Sequence, residues 1–528
     1  MGEKVQGKEC VRLALPGDLG PDSLRGEWKV EVHPKEPRVL TFWDTFEWGL
    51  WFGGHLLYSS GGVYHLCTRD SGQVRWLGTE LCEERAVGKR RFWSDFETEP
   101  IRGKLEGMLG LRGLAPVAEG ILRCHKWDLR NETGKIVCRL ECDTVSAGKR
   151  GEKVLRNSCL VIPLLGYETD LARVVECLAQ TGAFSSDDGP LEELLRDAGH
   201  EPRPYTLRPA FGLEFGMPAR DAVTRIVGTI LEIARRNVPG ILEDLDTEFL
   251  HDYRICLRKV RSVLSLIKDV YPPGETRSMR TELGELSRQT NRLRDLDVYL
   301  LAKEEYLGLL PPGLRPALDT MFADFSSDRS REVRRTTAKM QSPSSQKLFQ
   351  EIEGFFSARA LHGPAPAADL AVGPLVFLRI YKSYRKIRRL AASIGLDTPD
   401  EGVHELRIEC KKLRYLLEFF SELVPGKQYA SMVKSLRRLQ NWLGEFNDAS
   451  VQQKSLMEYW RRKGSATEVA LGLGGLIAIL YERQQRTRCN ILDALREFCG
   501  AANHATFRQS FKLAEPLAAG AVKGHSEP

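Results

Sequence analysis

His251, Arg254, Arg258, Lys259 and Arg261 recur as His404, Arg407, Lys411, Lys412 and Arg414, every pair 153 residues apart with no gap between them. The register persists downstream, where Arg294-Asp295 falls on Asn447-Asp448, and upstream, where Arg235-Arg236 falls on Arg388-Arg389. This is an internal duplication, and it commits the chain to two like-built units. On a helix, positions i, i+3, i+7 and i+10 share a face, so His251, Arg254, Arg258 and Arg261 form one basic stripe. Ile255, Leu257, Val260 and Leu264, and in the copy Ile408, Leu413 and Leu417, give each helix an apolar side for packing. A single basic run is ordinarily a solvated face. Its return at the same phase behind a histidine points instead to a bound anion.

Charge is distributed to match. Residues 1–218 hold 29 Lys and Arg against 33 Asp and Glu, whereas residues 219–528 hold 48 against 38, so the net charge of +6 belongs to the half with the stripe. That asymmetry predicts a polyanionic partner for the basic half: nucleic acid, an anionic membrane or a phosphate polymer. With 528 residues, 42% hydrophobic and 28% charged, the chain has material for more than one globular core. Its 12 cysteines show no CxxC pair and no zinc-like spacing, which predicts reduced thiols and no metal held by them. Residues 1–10 carry no apolar signal core, and the longest apolar stretch, 469–481, is shorter than the roughly 20 residues a spanning helix needs. A cytoplasmic protein without a membrane span is the expectation.

Residues 27–161 alternate polar with apolar side chains between glycine turns, which predicts antiparallel hairpins in a barrel or curled sheet, closed by a helix at 168–180. Residues 183–218, rich in Pro, Gly and acids, read as a linker with a short helix at 191–198. From 221 onward helical periodicity takes over, with helices predicted at 222–237, 248–270, 280–300, 314–339 and 346–360. Pro239-Gly240, Pro272-Pro273-Gly274 and Pro311-Pro312-Gly313 supply the breaks. After a proline- and alanine-rich bridge at 362–374, helices at 375–394, 403–423, 429–445, 451–463 and 466–498 repeat the layout, Pro425-Gly426 closing the His-bearing one. The fold class predicted is α+β multidomain: a β-rich domain at 24–182, then an all-α domain at 219–510 of two pseudo-twofold-related bundles, 219–361 and 374–510, and a flexible tail at 511–528.

The N-terminal region resembles the CYTH superfamily, the triphosphate-tunnel fold of adenylate cyclases and triphosphatases. The likeness rests on the acidic opening strand near Glu27, on Phe42-Trp43-Asp44-Thr45 followed by Leu50, and on the glycine hairpin within 56–69. That family opens with Glu-x-Glu-x-Lys, which holds metal and phosphate; here the register gives Glu27, Lys29 and Glu31. Leu56-Leu57-Tyr58-Ser59 stands where the family's arginines would be, and Leu160-Val161-Ile162-Pro163-Leu164 where acidic and lysine residues would be. Glu141 and Asp143 alternate on one strand and are candidates to face inward. Phosphoryl hydrolysis of this kind needs clustered oxygen ligands for a divalent ion. The expectation is therefore a degenerate tunnel with no catalytic residue and no cofactor, Mg being required only if the tunnel is active.

Residues 219–510 resemble the CHAD family, the conserved-histidine α-helical domains. His-x-x-Arg followed by a basic pair and a further Arg occurs twice, with Leu293-Arg294-Asp295-Leu296-Asp297-Val298 in the first half and Glu445-Phe446-Asn447-Asp448 in the second. The resemblance implies that His251 and His404 are the family's histidines, and that a basic channel between the halves binds inorganic polyphosphate behind a CYTH-like domain. Polyphosphate offers about one charge per phosphate and no bases, so it asks for donors and positive charge, which Arg supplies as a planar fork and Lys as a mobile point. Further walls are expected from Arg379, Lys382, Lys386 and Arg389, which repeat the i, i+3, i+7, i+10 spacing, from Lys434, Arg437 and Arg438, and from Arg288, Arg292 and Arg294. Asp295 and Asp448 read as orienting arginines. The histidines read either as phosphate donors or as helix-packing hydrogen bonders.

Three rivals stand beside this reading: a metal-dependent triphosphatase or nucleotide enzyme in the N-terminal tunnel, nucleic-acid binding by the basic half and, more weakly, membrane-surface binding. Bases call for aromatic platforms, whereas Tyr253, Tyr415, Phe419 and Phe420 sit at spacings that suit a core. The preferred expectation is a non-catalytic polyphosphate-binding protein, cytoplasmic and associated with polyphosphate granules, with no metal ligands.

Overall fold

The computed structural model describes residues 3–5, 8–17, 20–34, 36–69, 79–85, 90–148, 151, 153–184, 190–357, 363–424, 426–463 and 467–511. The chain forms two compact units, Met1–Tyr205 and Thr206–Pro528. In the first, ten strands among the described residues make one antiparallel sheet: β1 (Glu3–Val5), β2 (Lys8–Leu15), β3 (Lys29–Pro34), β4 (Arg38–Thr45), β5 (His55–Ser60), β6 (Val63–Thr68), β7 (Thr79–Arg85), β8 (Leu114–Arg130), β9 (Ile136–Ala147) and β10 (Lys153–Pro163). Among the described residues four α-helices accompany them, α1 (Gly49–Phe52), α2 (Glu99–Leu109), α3 (Glu168–Gln180) and α4 (Pro190–Asp197). The spatial order is β1-β2-β10-β9-β8-β4-β5-β6-β7, and the long β8 pairs with β9 on one side and with β3 and β4 in turn on the other.

Both faces of this sheet are apolar. Leu13, Trp127, Leu129, Leu140 and Val161 form a core with Leu171, Val174 and Leu178 of α3. On the other face Leu40, Phe42, Leu122 and Val145 meet Leu191, Leu194 and Leu195 of α4. That seat for α4 needs Gly120, since a side chain there would begin 2.9 Å from Leu194. The carboxylates that the tunnel reading singled out each have a cation: Arg173 on Glu27 (2.8 Å), Arg130 on Glu31 (2.9 Å), Lys126 on Glu141 (2.9 Å) and Arg12 at 3.8 Å from Asp143. Leu56, Leu57, Leu160 and Val161 are buried core side chains.

The second unit is helical: α5 (Ala219–Leu242), α6 (Thr247–Leu266), α7 (Pro273–Arg288), α8 (Asn291–Leu301), α9 (Lys303–Leu309), α10 (Pro316–Gln341), α11 (Pro343–Ser357), α12 (Val372–Ala391), α13 (Asp400–Phe419), α14 (Gly426–Lys463), α15 (Thr467–Cys499) and α16 (Ala501–Phe511). The starts of α5, α6 and α7 recur at α12, α13 and α14 with the 153-residue offset of the sequence, so the duplication is one of structure. Asp246 caps α6 by accepting from the amides of Glu248 (2.9 Å) and Phe249 (3.2 Å). The helix then buries Phe249, Tyr253, Cys256, Leu257, Val260 and Leu264, and α13 buries Leu406, Cys410, Leu413 and Leu417 in the same phase. With those faces inward, α6 and α13 pack together where the halves meet. A shared core of Phe322 and Phe325 with Leu456, Tyr459, Leu473 and Leu476 closes the junction elsewhere. No described helix is long and apolar enough to cross a membrane.

Four expectations change. Pro239 does not break α5, because its carbonyl still accepts from the Glu243 amide (3.0 Å) and only the donor is lost. The helix predicted over 280–300 divides into α7 and α8, where the Thr290 hydroxyl competes with the ladder by donating to the Ser287 carbonyl (2.9 Å). Its twin is the buried Leu443, with no such hydroxyl, and the two helices predicted at 429–445 and 451–463 are one 38-residue α14. Residues 206–218, predicted as linker, belong to the helical unit: the amides of Phe211 and Leu213 donate to the Glu422 carboxylate (2.5 and 2.8 Å), and Phe215 packs against Gly373, where any side chain would collide with its ring. The acidic stretch 185–189 of the linker, His362 of the bridge, Pro425 and the tail from 512 lie outside the described residues.

Candidate anion-binding site

Arg258 of α6 donates from Nε to the hydroxyl of Tyr415 on α13 (3.1 Å), a contact that crosses between the halves. Around it the basic rows converge. Burial pushes the Lys411 ammonium down to about 8, and the charges of Arg407, Arg258 and Arg414 push the same way, with Asp448 opposing. Burial also lowers the Arg407 guanidinium, helped by Arg258 and Arg414. The nearby acids are thinly matched to these four cations: Asp448 lies 3.8 Å from Arg407, and Glu418 lies 3.6 Å from Arg414. Arg407 keeps a buried Nε without a hydrogen-bond acceptor among the described residues, whereas the Nε of Arg414 faces Glu418 at 3.6 Å. A buried donor in that state costs about 1–3 kcal/mol, which an anionic oxygen would recover.

Further along the same junction a cleft of about 490 Å³ opens between the halves. Lys268, Arg280 of α7, Arg379, Lys382 and Lys386 of α12, and Lys412 of α13 line it, against the single carboxylate of Glu409. Glu409 is itself engaged by Lys386 (2.9 Å) and Lys412 (2.6 Å). Arg379 adds another buried Nε with no acceptor among the described residues. Arg389, at the end of the α12 row, is exposed and does not line the cleft. Arg261, next on the α6 stripe, sits with Arg280 and Arg288, whose charges add to burial in lowering its pKa.

Other residues of the predicted row do different work. Lys259 stands apart from the row: one residue on from Arg258, it points about 100° away around the helix. It is 7% exposed, and its Nζ donates to the Leu207 carbonyl (2.5 Å), so it is a strut for the 206–218 segment. Arg254 donates from Nη1 to Ser287 O (3.0 Å), Thr290 Oγ1 (2.8 Å) and Asn291 Oδ1 (2.8 Å), tying α6 to the junction of α7 and α8. Arg292 is paired with Asp328 (3.2 Å), Arg294 lies 3.7 Å from Glu248, Arg288 holds Glu285 (2.7 Å) and Arg438 holds Glu497 (2.5 Å). Lys434 and Arg437 stand exposed on α14.

The histidines differ from each other. His404 donates from Nδ1 to Asn447 Oδ1 (2.8 Å) and shares a pocket of about 280 Å³ with Arg407 and Lys454. His251 lies beside Glu248 and Asp252, their polar atoms within 4.8 Å of one another. Burial raises the Asp295 carboxyl, while Arg254, Arg292 and Arg294 pull it down. Sequence reasoning missed Lys268, Arg277, Arg280, Glu409 and the Tyr415 hydroxyl. Taking Pro272-Pro273 as a helix start would have found the arginines of α7. Nothing local marks Tyr415, whose partner is 157 residues away.

Two like-built helical halves with a cationic cleft at their junction define a duplicated all-α domain. The family model of the CHAD domain matches residues 225–457, and this part of the chain is a CHAD domain, a family linked to polyphosphate binding. Two uncharacterized proteins of Mycobacterium tuberculosis, MT2285 of strain CDC 1551 / Oshkosh and Rv2226 of strain ATCC 25618 / H37Rv, are each 23% identical over 258 residues, 48% of this chain and 49% of theirs. The chain thus spans about half the length of the curated relatives it matches. Among solved structures, the CHAD domain from the plant Ricinus communis is 25% identical with a TM-score of 0.48, covering 57% of this chain and 97% of that one. PptA from Streptomyces chartreusis is 20% identical with a TM-score of 0.40, covering 52% of this chain and 99% of its own.

Proposed function

We propose that the helical unit binds inorganic polyphosphate along the junction of its two halves, without catalysis, and that this binding associates the protein with polyphosphate granules. The observation that carries the reading is the convergence of Arg258 with Arg407, Lys411 and Arg414, continued by the six cations of the adjoining cleft. Lys411, pushed down to about 8 first by its burial, is pushed the same way by the charges of Arg407, Arg258 and Arg414, so these cations repel one another. A ligand with successive charges along a thin chain relieves that repulsion at several points at once. The CHAD domain match supports the same ligand.

A baseless polymer fits better than nucleic acid. Tyr415 is 5% exposed and stacks on Phe419 at 5.8 Å, and Tyr253 is buried, so these rings are core side chains and not platforms for bases. The first unit is read as a degenerate CYTH-like domain, since its candidate carboxylates already have Arg or Lys partners. The test is a titration of the full chain with long-chain polyphosphate at physiological salt, with single-stranded DNA and RNA as competitors. Polyphosphate should bind more tightly than either nucleic acid, and joint replacement of Arg258, Arg407 and Lys411 by Ala should abolish binding. Equal affinity for DNA, or an unaffected triple variant, would overturn the reading.

A further inference from the structure

The cationic surface continues past the cleft into a feature that only one half possesses. Arg277, Arg280, Gly284 and Arg288 fall at i, i+3, i+7 and i+11 on α7, and with Arg261 of α6 they line a pocket of about 300 Å³. Arg280 lines this pocket and the larger cleft alike, so the two adjoin at that side chain. We propose that this pocket captures the doubly charged terminal phosphate of a polyphosphate chain and so fixes the end at which the polymer is held. The proposal rests on the polyphosphate reading and adds to it the place where the chain ends.

Three observations carry it. Four guanidinium groups face one small space with no acid in its lining, and Glu285, the acid paired with Arg288 (2.7 Å), is shared with Lys339 (3.7 Å). Among the described residues, Arg277 and Arg280 have no ion-pair partner within 4.0 Å. The space also depends on Gly284, inside a helix where glycine is intrinsically unfavourable. A side chain there would begin 3.6 Å from Arg288 Nη1 and 3.8 Å from Arg261 Nη2, and would grow into the gap between them. Finally, the duplication did not carry the pocket over: the positions equivalent to Arg277, Arg280, Gly284 and Arg288 are Ala430, Val433, Arg437 and Asn441.

An internal phosphate of the polymer carries one charge and two free oxygens. A terminal one carries a third oxygen and a second ionisation with a pKa of about 6. Several planar forks around a small gap suit that group, since each offers paired donors to a different edge of the tetrahedron. The rest of the chain then runs along the cleft toward Lys382 and Lys412.

The test compares linear tripolyphosphate, which has two ends, with cyclic trimetaphosphate, which has none, by calorimetry on the full chain. Two variants are used: Arg277→Gln, at a side chain that lines this pocket and not the cleft, and Gly284→Leu, which fills the gap while keeping every arginine. In both, affinity for the linear ligand should fall roughly tenfold, while affinity for the cyclic ligand stays within about twofold. Parallel loss for the two ligands, or unchanged linear binding in either variant, would overturn the proposal. So would orthophosphate binding as tightly as linear tripolyphosphate, which would make the occupant a free phosphate. Failure of the unmodified chain to bind long-chain polyphosphate sinks the junction reading instead, so the two failures are distinguishable.

Discussion

The halves of the helical unit start their first three helices at equivalent positions, and each sets an arginine near an aspartate, Arg254 near Asp295 and Arg407 near Asp448. They then use the frame differently. Arg254 is committed to Ser287, Thr290 and Asn291 at the break between α7 and α8, whereas α14 runs unbroken through the equivalent point and Arg407 keeps a buried Nε without an acceptor among the described residues. Lys259 holds the Leu207 carbonyl, while its twin Lys412 lines the cleft. Where α12 presents Arg379, Lys382 and Lys386, α5 has Ile226, Thr229 and Ile233. The duplication supplied a symmetric scaffold, and charge was distributed over it unevenly. In the first half several arginines brace the fold, while the second lines the junction with most of its row.

The strongest way to break this contrast is to remove the α12 row. Changing Arg379, Lys382 and Lys386 together to Ala should weaken long-chain polyphosphate binding on the order of a hundredfold in a fluorescence-anisotropy titration, since charge-assisted hydrogen bonds contribute about 1.5–3 kcal/mol each. A loss below about threefold would mean that the second half is not where the ligand sits. Next comes the paired comparison of Arg254→Ala with Arg407→Ala. The first should lower unfolding free energy in urea by about 2 kcal/mol through its hydrogen bonds to the α7–α8 junction. The second should cost under about 1 kcal/mol of stability but roughly tenfold in affinity. A reversed pattern would erase the division of labour.

A smaller effect is expected from pH, with opposite signs for binding and folding. Lys411 titrates near 8 in the free chain, mainly because it is buried and also because its neighbours are cations. Bound phosphates would hold it charged, so above pH 8 binding requires proton uptake and affinity should fall severalfold between roughly pH 7 and 9. Lys411→Arg should flatten that decline. The free protein, by contrast, bears the cost of a disfavoured charge below pH 8, and should gain stability as pH rises from about 8 toward the ordinary lysine value of 10.5. Smallest of all, Lys259→Met should leave polyphosphate affinity within about twofold while amides near 207–213 lose hydrogen-exchange protection. A large loss of affinity there would return Lys259 to the ligand row.

Much of this was legible in the residues themselves. The alternation of 27–161 announced the sheet, the 168–180 helix lies at α3, and the repeated stripe announced α6 and α13. What was not legible depended on contacts distant in sequence. The break at Thr290 and its absence at Leu443 turn on one hydroxyl, which helical periodicity does not register. Lys259 and Arg258 are both basic and adjacent, and only the packing of α6 against the 206–218 segment sends one inward. Arg258 finds its partner in the other half, at Tyr415, which a reading for apolar spacing assigns simply to the core.

The most direct test of the account is a structure of the full chain with long-chain polyphosphate bound. The account predicts one continuous run of phosphates passing Arg258, Arg407 and Lys411 and entering the cleft beside Lys382 and Lys412. Phosphate density confined to the first unit, or bound to the helical unit with that junction left bare, would contradict it.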